Sequence, residues 1–345
     1  MPIYKETGFY EKLAASGKYI EKNGARFIDY KNDDEVYFGF QDGFNRQIPM
    51  AYEVERCEFD KDILEHSKSL GVSVYQPERV KDVTFSADKA ILETNKGSYE
   101  AKFVIDTTGR DAFLGKKMEA RKVNRDLNNV AVFAHYYNVE RYPGKSEGDI
   151  TIGLLPERAW TWIIPFQGDK TSVGVVCSSS VFKSGANISE YLEERLMGSP
   201  RVRQMMKRAE RCSEVTVISN YSHTTETFVG DRWIMAGDAA VFLDPIFSSG
   251  VHVATQSGKF AAQAVIQALN EGTMLRHEQR GEEYERLVLK GVKRFHNFIS
   301  MFYEGDFVNQ MKKTATLKNV REGFTSAVAG DMWNDENFLF EKKIL

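Results

Sequence analysis

The spacing of apolar residues predicts a helix followed by a hairpin at the start of the chain. Phe9, Leu13 and Ala14 recur at helical spacing before Gly17. The runs 25–30 and 36–40 have the composition and length of β-strands.

A second helix is predicted to begin at Phe59 and to end at Gly71, because apolar residues recur on one of its faces. The pattern then predicts a strand over 72–75 and an antiparallel meander over 80–106. The last strand of this meander leads into the polar segment Asp-Thr-Thr-Gly-Arg at 106–110.

Strand-like runs predominate between 129 and 177, and they predict a second, antiparallel sheet. The predicted strands of that sheet are 130–138, 150–155, 160–166 and 172–177. Two helices are predicted within 188–210, then strands at 215–219 and 233–236, then mostly helix from Gly250 onward. Mixed βα units with an inserted sheet predict an α/β fold.

Composition narrows the class of protein. The chain has 345 residues, 42% of them hydrophobic, which is enough for about two domains with substantial cores. A net charge of −3 and the lack of a basic tail argue against nucleic acid as a partner. Three cysteines without metal-binding spacing, no signal peptide and no long apolar stretch predict a cytoplasmic protein without a membrane span.

The stretch GDAAVFLDPIFSSGVHVA at 237–254 follows a short apolar run. Gly237 allows close backbone approach, and the Asp238 carboxylate can accept hydrogen bonds from a sugar-like diol. Ser249 and Gly250 stand at the start of a predicted helix, where free amides favour an anion or an electron-rich ring edge. An isolated Gly-Asp is more often part of an ordinary turn before a serine-capped helix, but the whole eighteen-residue stretch favours a binding site.

Two further segments contain residues that can carry chemistry. Within AWTWIIPF, Trp160 and Trp162 stand two apart, so they share one face of a strand, where tryptophans are most often packing residues. In EKNGARF, Lys22 lies five positions before Phe27, and its charge alone indicates only a solvated lysine beside Glu21.

Taken together, these segments resemble the FAD-dependent halogenases, within the larger class of hydroxylase-like flavoproteins. The pattern F-x-x-P-x-x-S-x-G is present as Phe242, Pro245, Ser248 and Gly250. The pattern W-x-W-x-I-P is present within 160–165, and a late AVAGDMW segment also matches. The resemblance implies an FAD-binding Rossmann-like fold of the hydroxylase type, with an inserted antiparallel substrate sheet and a helical C-terminal part.

The resemblance also implies domain boundaries. Residues 1–128 and 229–270 would form the FAD-binding domain, the first of these parts being incomplete. Residues 129–228 would form the substrate domain, and 271–345 a helical C-terminal segment.

The resemblance assigns a role to each candidate residue. Lys22 would be the catalytic lysine, either as an ammonium that hydrogen-bonds hypohalous acid or as an amine that forms a haloamine. Because burial shifts lysine toward its neutral form, both roles stay open. Trp160, Trp162 and Pro165 would separate the flavin from the substrate.

The remaining roles concern the cofactor and the halide, which would be chloride or bromide. Ser249 and Gly250 would bind the halide. The residues expected to contact FAD are Arg56, Asp106, Gly109, Gly237, Asp238, Pro245 and Gly250. For Arg56, an ion pair with Asp60 one helical turn later is an equally good alternative.

The sequence departs from the family pattern in two places. It contains no G-x-G-x-x-G, the segment that receives the FAD pyrophosphate, so an N-terminally truncated fold is expected. A fragment, a misplaced start codon and a degenerate paralogue all stay open. Phe247 stands where enzymes acting on free indoles carry a glutamate, which favours phenols or pyrroles, including carrier-tethered ones.

The leading hypothesis is therefore halogenation of an electron-rich aromatic ring, with reduced FAD supplied by a separate flavin reductase. One alternative is a related FAD-dependent monooxygenase or a geranylgeranyl-reductase-like flavoprotein. The other is a non-catalytic remnant that binds flavin weakly or binds a partner protein.

Overall fold

The structure is a computed structural model. It describes residues 1–44, 49–124, 127–182, 187–219, 221–304, 307–314 and 317–340. The predicted C-terminal segment 271–345 thus extends at its end beyond the described residues.

Helices form where apolar residues recur at helical spacing. Their bounds are α1 Pro2–Glu6, α2 Tyr10–Ala15, α3 Arg56–Ser69, α4 Phe113–Lys117, α5 Ile188–Leu196, α6 Pro200–Met205, α7 Gly250–Glu271, α8 Arg280–Glu304, α9 Phe307–Thr314 and α10 Lys318–Val328. Asn187 and Ser199 cap α5 and α6, since the side chain of each accepts a bond from a backbone N–H of the first turn.

Strands form where the chain alternates or carries short apolar runs. The first nine are β1 Ile20–Lys22, β2 Gly24–Ile28, β3 Glu35–Gly39, β4 Ala51–Glu53, β5 Val80–Phe85, β6 Ala90–Thr94, β7 Ser98–Ala101, β8 Val104–Asp106 and β9 Arg121–Val123. The others are β10 Asn129–Tyr137, β11 Ile150–Leu154, β12 Trp160–Pro165, β13 Thr171–Ser178, β14 Glu210–Arg211, β15 Thr216–Ser219, β16 His223–Thr225, β17 Trp233–Met235 and β18 Val241–Phe242.

The chain divides into two compact units. Unit 1 comprises 1–62, 126–220 and 297–345, and unit 2 comprises 63–125 and 221–296. The predicted segment 1–128 therefore contributes to both units, and the predicted domain boundaries stay a prediction.

Unit 1 is built on an eight-stranded sheet in the order β14-β10-β13-β12-β11-β2-β3, with β15 also paired to β10. Its neighbours are antiparallel except β11 and β2, which run parallel. The predicted antiparallel sheet is therefore present, and the predicted hairpin of β2 and β3 extends it. Helices α5 and α6 cover one face, where alternate residues of β10 and β13 are buried.

The opposite face of this sheet carries the aromatic residues. Phe27 on β2 packs against Phe302 and Phe307, with ring centroids 6.2 and 5.0 Å away. Trp160 on β12 donates a hydrogen bond to the Tyr303 hydroxyl at 2.8 Å. The C-terminal helices thereby bury the part of this face that lies nearest β2.

The described strands of unit 2 form three small sheets. Strands β5, β6 and β7 form an antiparallel meander, and β9, β16 and β18 form a second antiparallel sheet. Strand β8 pairs in parallel with β17, at the register Val104↔Trp233. The prediction that β8 is the last strand of the meander is therefore wrong, because its backbone partner lies about 130 residues later in the sequence, which local spacing does not reveal.

The prediction of a strand over 72–75 is also wrong. These residues have no regular structure, and Val72 and Tyr75 are 55% and 60% exposed. Apolar composition favours a strand only where a neighbouring strand supplies backbone hydrogen bonds, and no described strand pairs with this run.

Candidate functional site

The predicted site residues fall into two groups, one in each unit. Unit 2 holds the two polar turns and the helix start that were assigned to FAD and halide. Unit 1 holds Lys22, Arg56 and the tryptophan strand.

In unit 2, parallel pairing brings the two polar turns side by side. Met235, at the end of β17, lies opposite Asp106, at the end of β8. The backbone N–H of Ala236 then donates to the Asp106 carbonyl at 3.0 Å. Because the carboxyl ends of parallel strands are where open α/β sheets bind ligands, this pairing places both predicted turns at a favourable edge.

The turn after β8 is organised by the carboxylate of Asp106, which is 4% exposed. One oxygen accepts bonds from the backbone N–H and the hydroxyl of Thr108, at 2.9 and 2.7 Å. The other oxygen accepts from the backbone N–H of Leu114 at 2.8 Å. Asp106 therefore fixes the backbone around Gly109, whose φ of +64° lies in the left-handed region that favours glycine.

The turn after β17 is held against helix α7. Gly237 has a φ of +60°, and its backbone N–H donates to the Ser257 hydroxyl at 2.9 Å. A Cβ at Gly237 would lie 3.0 Å from the Cβ of Ala254. The glycine thus permits close approach of α7, and the following Asp238 is only partly buried.

Sequence reasoning missed His223, which supports this turn from β16. Its ring is 1% exposed, with Nε2 2.9 Å from the Asp238 carbonyl and Nδ1 3.0 Å from the Tyr221 carbonyl. Burial lowers the pKa of His223, which favours its neutral form. No local motif identifies this residue, because the contact depends on the pairing of β16 with β18.

The helix start is reached through a sharp turn. The Asp244 side chain accepts a bond from the Ile246 N–H at 3.0 Å, and a short 3-10 helix spans Pro245–Phe247. Ser248 then adopts a left-handed φ of +52°, and α7 begins at Gly250. Pro245 therefore lies in the turn that orients the helix start.

The first intrahelical hydrogen bond of α7 runs from the Val253 N–H to the Ser249 carbonyl at 2.8 Å. The backbone N–H groups that come before Val253 at this helix start therefore have no acceptor within the helix. Ser249 is 5% exposed, and its side chain makes no capping bond. A helix start with amides outside the intrahelical ladder can hold an anion or the electron-rich edge of a ring.

In unit 1, Lys22 lies at the end of β1 and is 7% exposed, so it is a buried lysine and not a solvated one. Its Nζ lies 2.9 Å from the carboxylate of Glu53 on β4. The next residue is fixed as well, since the Asn23 N–H donates to the buried carboxylate of Asp149 at 2.8 Å. Sequence reasoning identified Lys22 but missed both carboxylates.

The two tryptophans of β12 have different environments. Trp160 is 2% exposed and donates its indole N–H to Tyr303, so it anchors the strand in the core. Trp162 is half-buried, and its indole N–H donates to the Ser172 hydroxyl at 3.1 Å. Their ring centroids are 5.8 Å apart. Trp162 therefore presents the more accessible ring, and Pro165 closes the strand in a buried position.

Gly174, on the neighbouring strand β13, makes room for the Trp162 ring. A Cβ at Gly174 would lie 2.4 Å from a carbon of the Trp162 ring and 2.5 Å from the Cβ of Phe133. Real Cβ atoms do not approach this closely, so the indole position depends on this glycine. The sequence alone gave no sign of it.

Arg56 forms the ion pair with Asp60, the alternative contact that the sequence also allows. Its guanidinium donates two bonds to the Asp60 carboxylate, both at 2.9 Å, and its side chain is 63% exposed. Its assignment to the flavin stays a prediction.

The residues that the structure describes contain neither a metal-binding cluster nor a membrane-spanning helix. They contain no group of three or more His, Cys, Asp or Glu side chains arranged to hold a metal ion. Within the same residues, no helix is both long and apolar enough to cross a membrane.

A parallel strand pair with two glycine turns, beside a helix start, is an arrangement typical of the ligand-binding edge of α/β proteins. The chain belongs to the tryptophan halogenase family, whose family model matches residues 19–343. This match confirms the family resemblance that the sequence motifs indicated.

Individual relatives agree with the family match. The chain is 29% identical over 331 residues to the 1H-pyrrole-2-carbonyl-(peptidyl-carrier protein) chlorinase of Pseudomonas fluorescens, covering 88% of this chain and 73% of the relative. It is 31% identical over 277 residues to the corresponding brominase of Pseudoalteromonas luteoviolacea, covering 78% of this chain and 66% of the relative.

Solved structures confirm the predicted fold class. The flavin-dependent brominase Bmp2 superposes with a TM-score of 0.85 at 26% identity, covering 99% of this chain and 85% of that one. A flavoprotein/dehydrogenase from Cytophaga hutchinsonii superposes with a TM-score of 0.87, also at 26% identity, covering 98% and 83%.

Proposed function

We propose that this chain catalyses the FAD-dependent halogenation of an electron-rich aromatic ring. The observation that carries the proposal is Lys22, the predicted catalytic lysine, which is buried and ion-paired in the unit that also holds the W-x-W-x-I-P strand. A lysine that served only solubility would lie on the surface.

The residues of unit 2 fit a flavin. Gly109 leaves open space beside one strand exit, Gly237 lets helix α7 pack closely at the other, and Asp238 would offer a carboxylate to the ribityl hydroxyls. When bound and reduced, FAD would supply two electrons to oxygen, and the activated oxygen would oxidise the halide to an electrophilic halogen, with water as the other product. In this proposal Pro245 and Gly250 contact the cofactor, and Arg56 exchanges its contact with Asp60 for one with FAD.

Ser249 and Gly250 would bind the chloride or bromide. Backbone amides at a helix start are oriented donors, and the helix dipole adds a favourable interaction with an anion of about 0.3–1 kcal/mol. The buried Ser249 hydroxyl adds a donor of suitable size.

Lys22 would direct the oxidised halogen to the ring of the substrate. An ammonium can donate a hydrogen bond to the oxygen of hypohalous acid and make the halogen more electrophilic. Trp160, Trp162 and Pro165 would keep the substrate apart from the flavin, with Trp162 as the accessible surface of that wall.

The relatives support a particular substrate class. The chlorinase and the brominase described above act on a pyrrole-2-carbonyl group carried by a peptidyl-carrier protein. We therefore propose a carrier-tethered pyrrole as substrate, with a separate flavin reductase as a second partner. The three free cysteines agree with a reducing, cytoplasmic location.

The direct test supplies the chain with FAD, a flavin reductase and carrier-bound pyrrole-2-carboxylate, in chloride and in bromide buffer. The proposal predicts a product that carries chlorine in one buffer and bromine in the other, recognisable from their isotope patterns. A product that contains only added oxygen in both buffers would refute it.

A halide-independent oxidoreductase is the second candidate. The match to the Cytophaga flavoprotein/dehydrogenase favours it. That protein has the same fold, and its superposition covers as much of this chain as the superposition of the brominase does. The same assay separates the two, since a monooxygenase or a reductase gives one product mass whichever halide is present.

A further inference from the structure

The side chains of Lys22 and Glu53 are paired by strand register. Strands β1 and β4 are antiparallel, with Ile20 opposite Glu53 and Lys22 opposite Ala51. Lys22 and Glu53 are therefore diagonal neighbours on one face of the ribbon, close enough for long side chains to meet. The resulting distance from Nζ to the nearer carboxylate oxygen is 2.9 Å.

The burial of this pair distinguishes it from an ion pair in the same segment. The side chains of Lys22 and Glu53 are 9% and 12% exposed. Lys18 and Asp62 form a contact of similar length, 2.8 Å, but the Lys18 side chain is 47% exposed. An exposed pair is weakened by water, whereas each partner of a buried pair depends on the other for its charge.

The backbone beside Lys22 is held independently of this ion pair. The buried Asp149 accepts bonds from the Asn23 N–H at 2.8 Å and from the Tyr37 hydroxyl at 3.0 Å. A Cβ at Gly148 would lie 2.2 Å from the Glu21 carbonyl oxygen, so the chain packs closely here. Beside this fixed backbone, the Lys22 amine contacts the carboxylate of Glu53.

We propose that Glu53 is a positioning residue for Lys22, holding its amine in one direction through a buried ion pair. This inference rests on the proposed function of Lys22. The carboxylate oxygen 2.9 Å from Nζ attracts the amine and fixes where it lies, which leaves its N–H groups to donate to the halogenating species.

The test is a double-mutant cycle on the full chain with Glu53→Gln, Lys22→Met and both together. Glu53→Gln keeps the shape of the side chain but removes its charge, and it should lower kcat for halogenation about 10- to 100-fold with little change in KM. In the Lys22→Met background the same change should have no further effect on kcat. Glu53→Asp, which keeps the charge, should recover part of the loss.

A matched variant separates positioning from general damage. Asp62→Asn, which removes the carboxylate that pairs with Lys18, should leave kcat unchanged. An unchanged kcat in Glu53→Gln, or an equal loss of kcat with and without Lys22, would overturn the proposal.

A labelling experiment tests the contact without any activity measurement. Reductive methylation followed by mass spectrometry reports how accessible each lysine amine is. Lys22 should react slowly in the native chain and faster in Glu53→Gln, while Lys18 reacts equally in both. Equal protection of Lys22 in the two proteins would overturn the positioning role. If the native chain shows the protection but makes no halogenated product, the proposed function fails and the contact stands.

Discussion

Lys22 shows how far a single residue can be interpreted from its sequence neighbours. Its charge and its place beside Glu21 indicate a solvated lysine, and only the register with Phe27 indicates a catalytic one. The structure places it in a buried ion pair with Glu53, a partner from a strand about 30 residues later. Local sequence carries no signal for such a partner, because strand pairing is set by tertiary contacts.

Replacing Lys22 with Met should strongly reduce halogenation while flavin oxidation continues. We expect product formation to fall about 100-fold or more, since a positioned proton donor typically contributes that much to a rate. The measurement is the ratio of halogenated product to oxygen consumed. Lys18→Met, on the exposed lysine of the same segment, is the control and should leave that ratio unchanged.

Gly174→Ala should displace the Trp162 ring. The added methyl group would fall 2.4 Å from that ring, so we expect a loss of about 1–3 kcal/mol in the free energy of unfolding, measured with urea. The circular-dichroism band that arises from coupling of the two tryptophans should also weaken, since their centroids are only 5.8 Å apart.

Gly97→Ala is the matched control for this change, because a Cβ at Gly97 would meet no atom within 4 Å. A native tryptophan band and native stability in Gly174→Ala would contradict the packing described for Trp162.

At the scale of elements, the sequence predicted most strands and helices of the substrate sheet but not how the cofactor end is assembled. Strand β12 lies at Trp160–Pro165, within the predicted run 160–166. By contrast, the parallel pairing of β8 with β17 joins two apolar runs far apart in the chain. Alternation identifies a strand, but it does not identify the partner of that strand.

Asp106→Asn should loosen the turn that follows β8. Both oxygens of the carboxylate accept hydrogen bonds, whereas an amide has only one accepting oxygen. Either the backbone N–H of Leu114 or that of Thr108 therefore loses its acceptor. We expect a loss of about 1–3 kcal/mol in the free energy of unfolding and weaker FAD binding, measured by flavin fluorescence titration.

Asp111→Asn tests whether this effect is specific, because Asp111 is an exposed carboxylate in the same turn. FAD affinity that fell equally in both variants would contradict the organising role of Asp106.

At the scale of the whole molecule, the match over residues 19–343 confirms the family that the motifs indicated. The flavin, halide and wall assignments stay predictions, because a motif names residues without showing what they contact. The buried Phe247 is an example. Its place in the motif favours phenols or pyrroles as the substrate class, but it does not identify one substrate.

Stability should fall as the pH drops below about 6.5, the ordinary pKa of histidine. Burial lowers the pKa of both His223 and His135 in the folded chain, and the positive charge of Lys170 adds to the effect at His135. The unfolded chain therefore binds protons that the folded chain does not, so the free energy of unfolding decreases with falling pH.

The expected slope is at most about 1.4 kcal/mol per pH unit for His223, measured by urea unfolding between about pH 7.5 and 5.5. His223→Gln should make the dependence shallower over this interval. A steeper dependence in that variant would contradict the burial effect.

The most direct test of the central claim is a single turnover without any reductase. The chain is loaded with FAD, reduced photochemically without oxygen, and mixed with oxygen, bromide and carrier-bound pyrrole-2-carboxylate. We predict brominated pyrrole in an amount that approaches the bound flavin. Complete flavin reoxidation with only unmodified or oxygenated pyrrole would contradict the assignment of this chain as a halogenase.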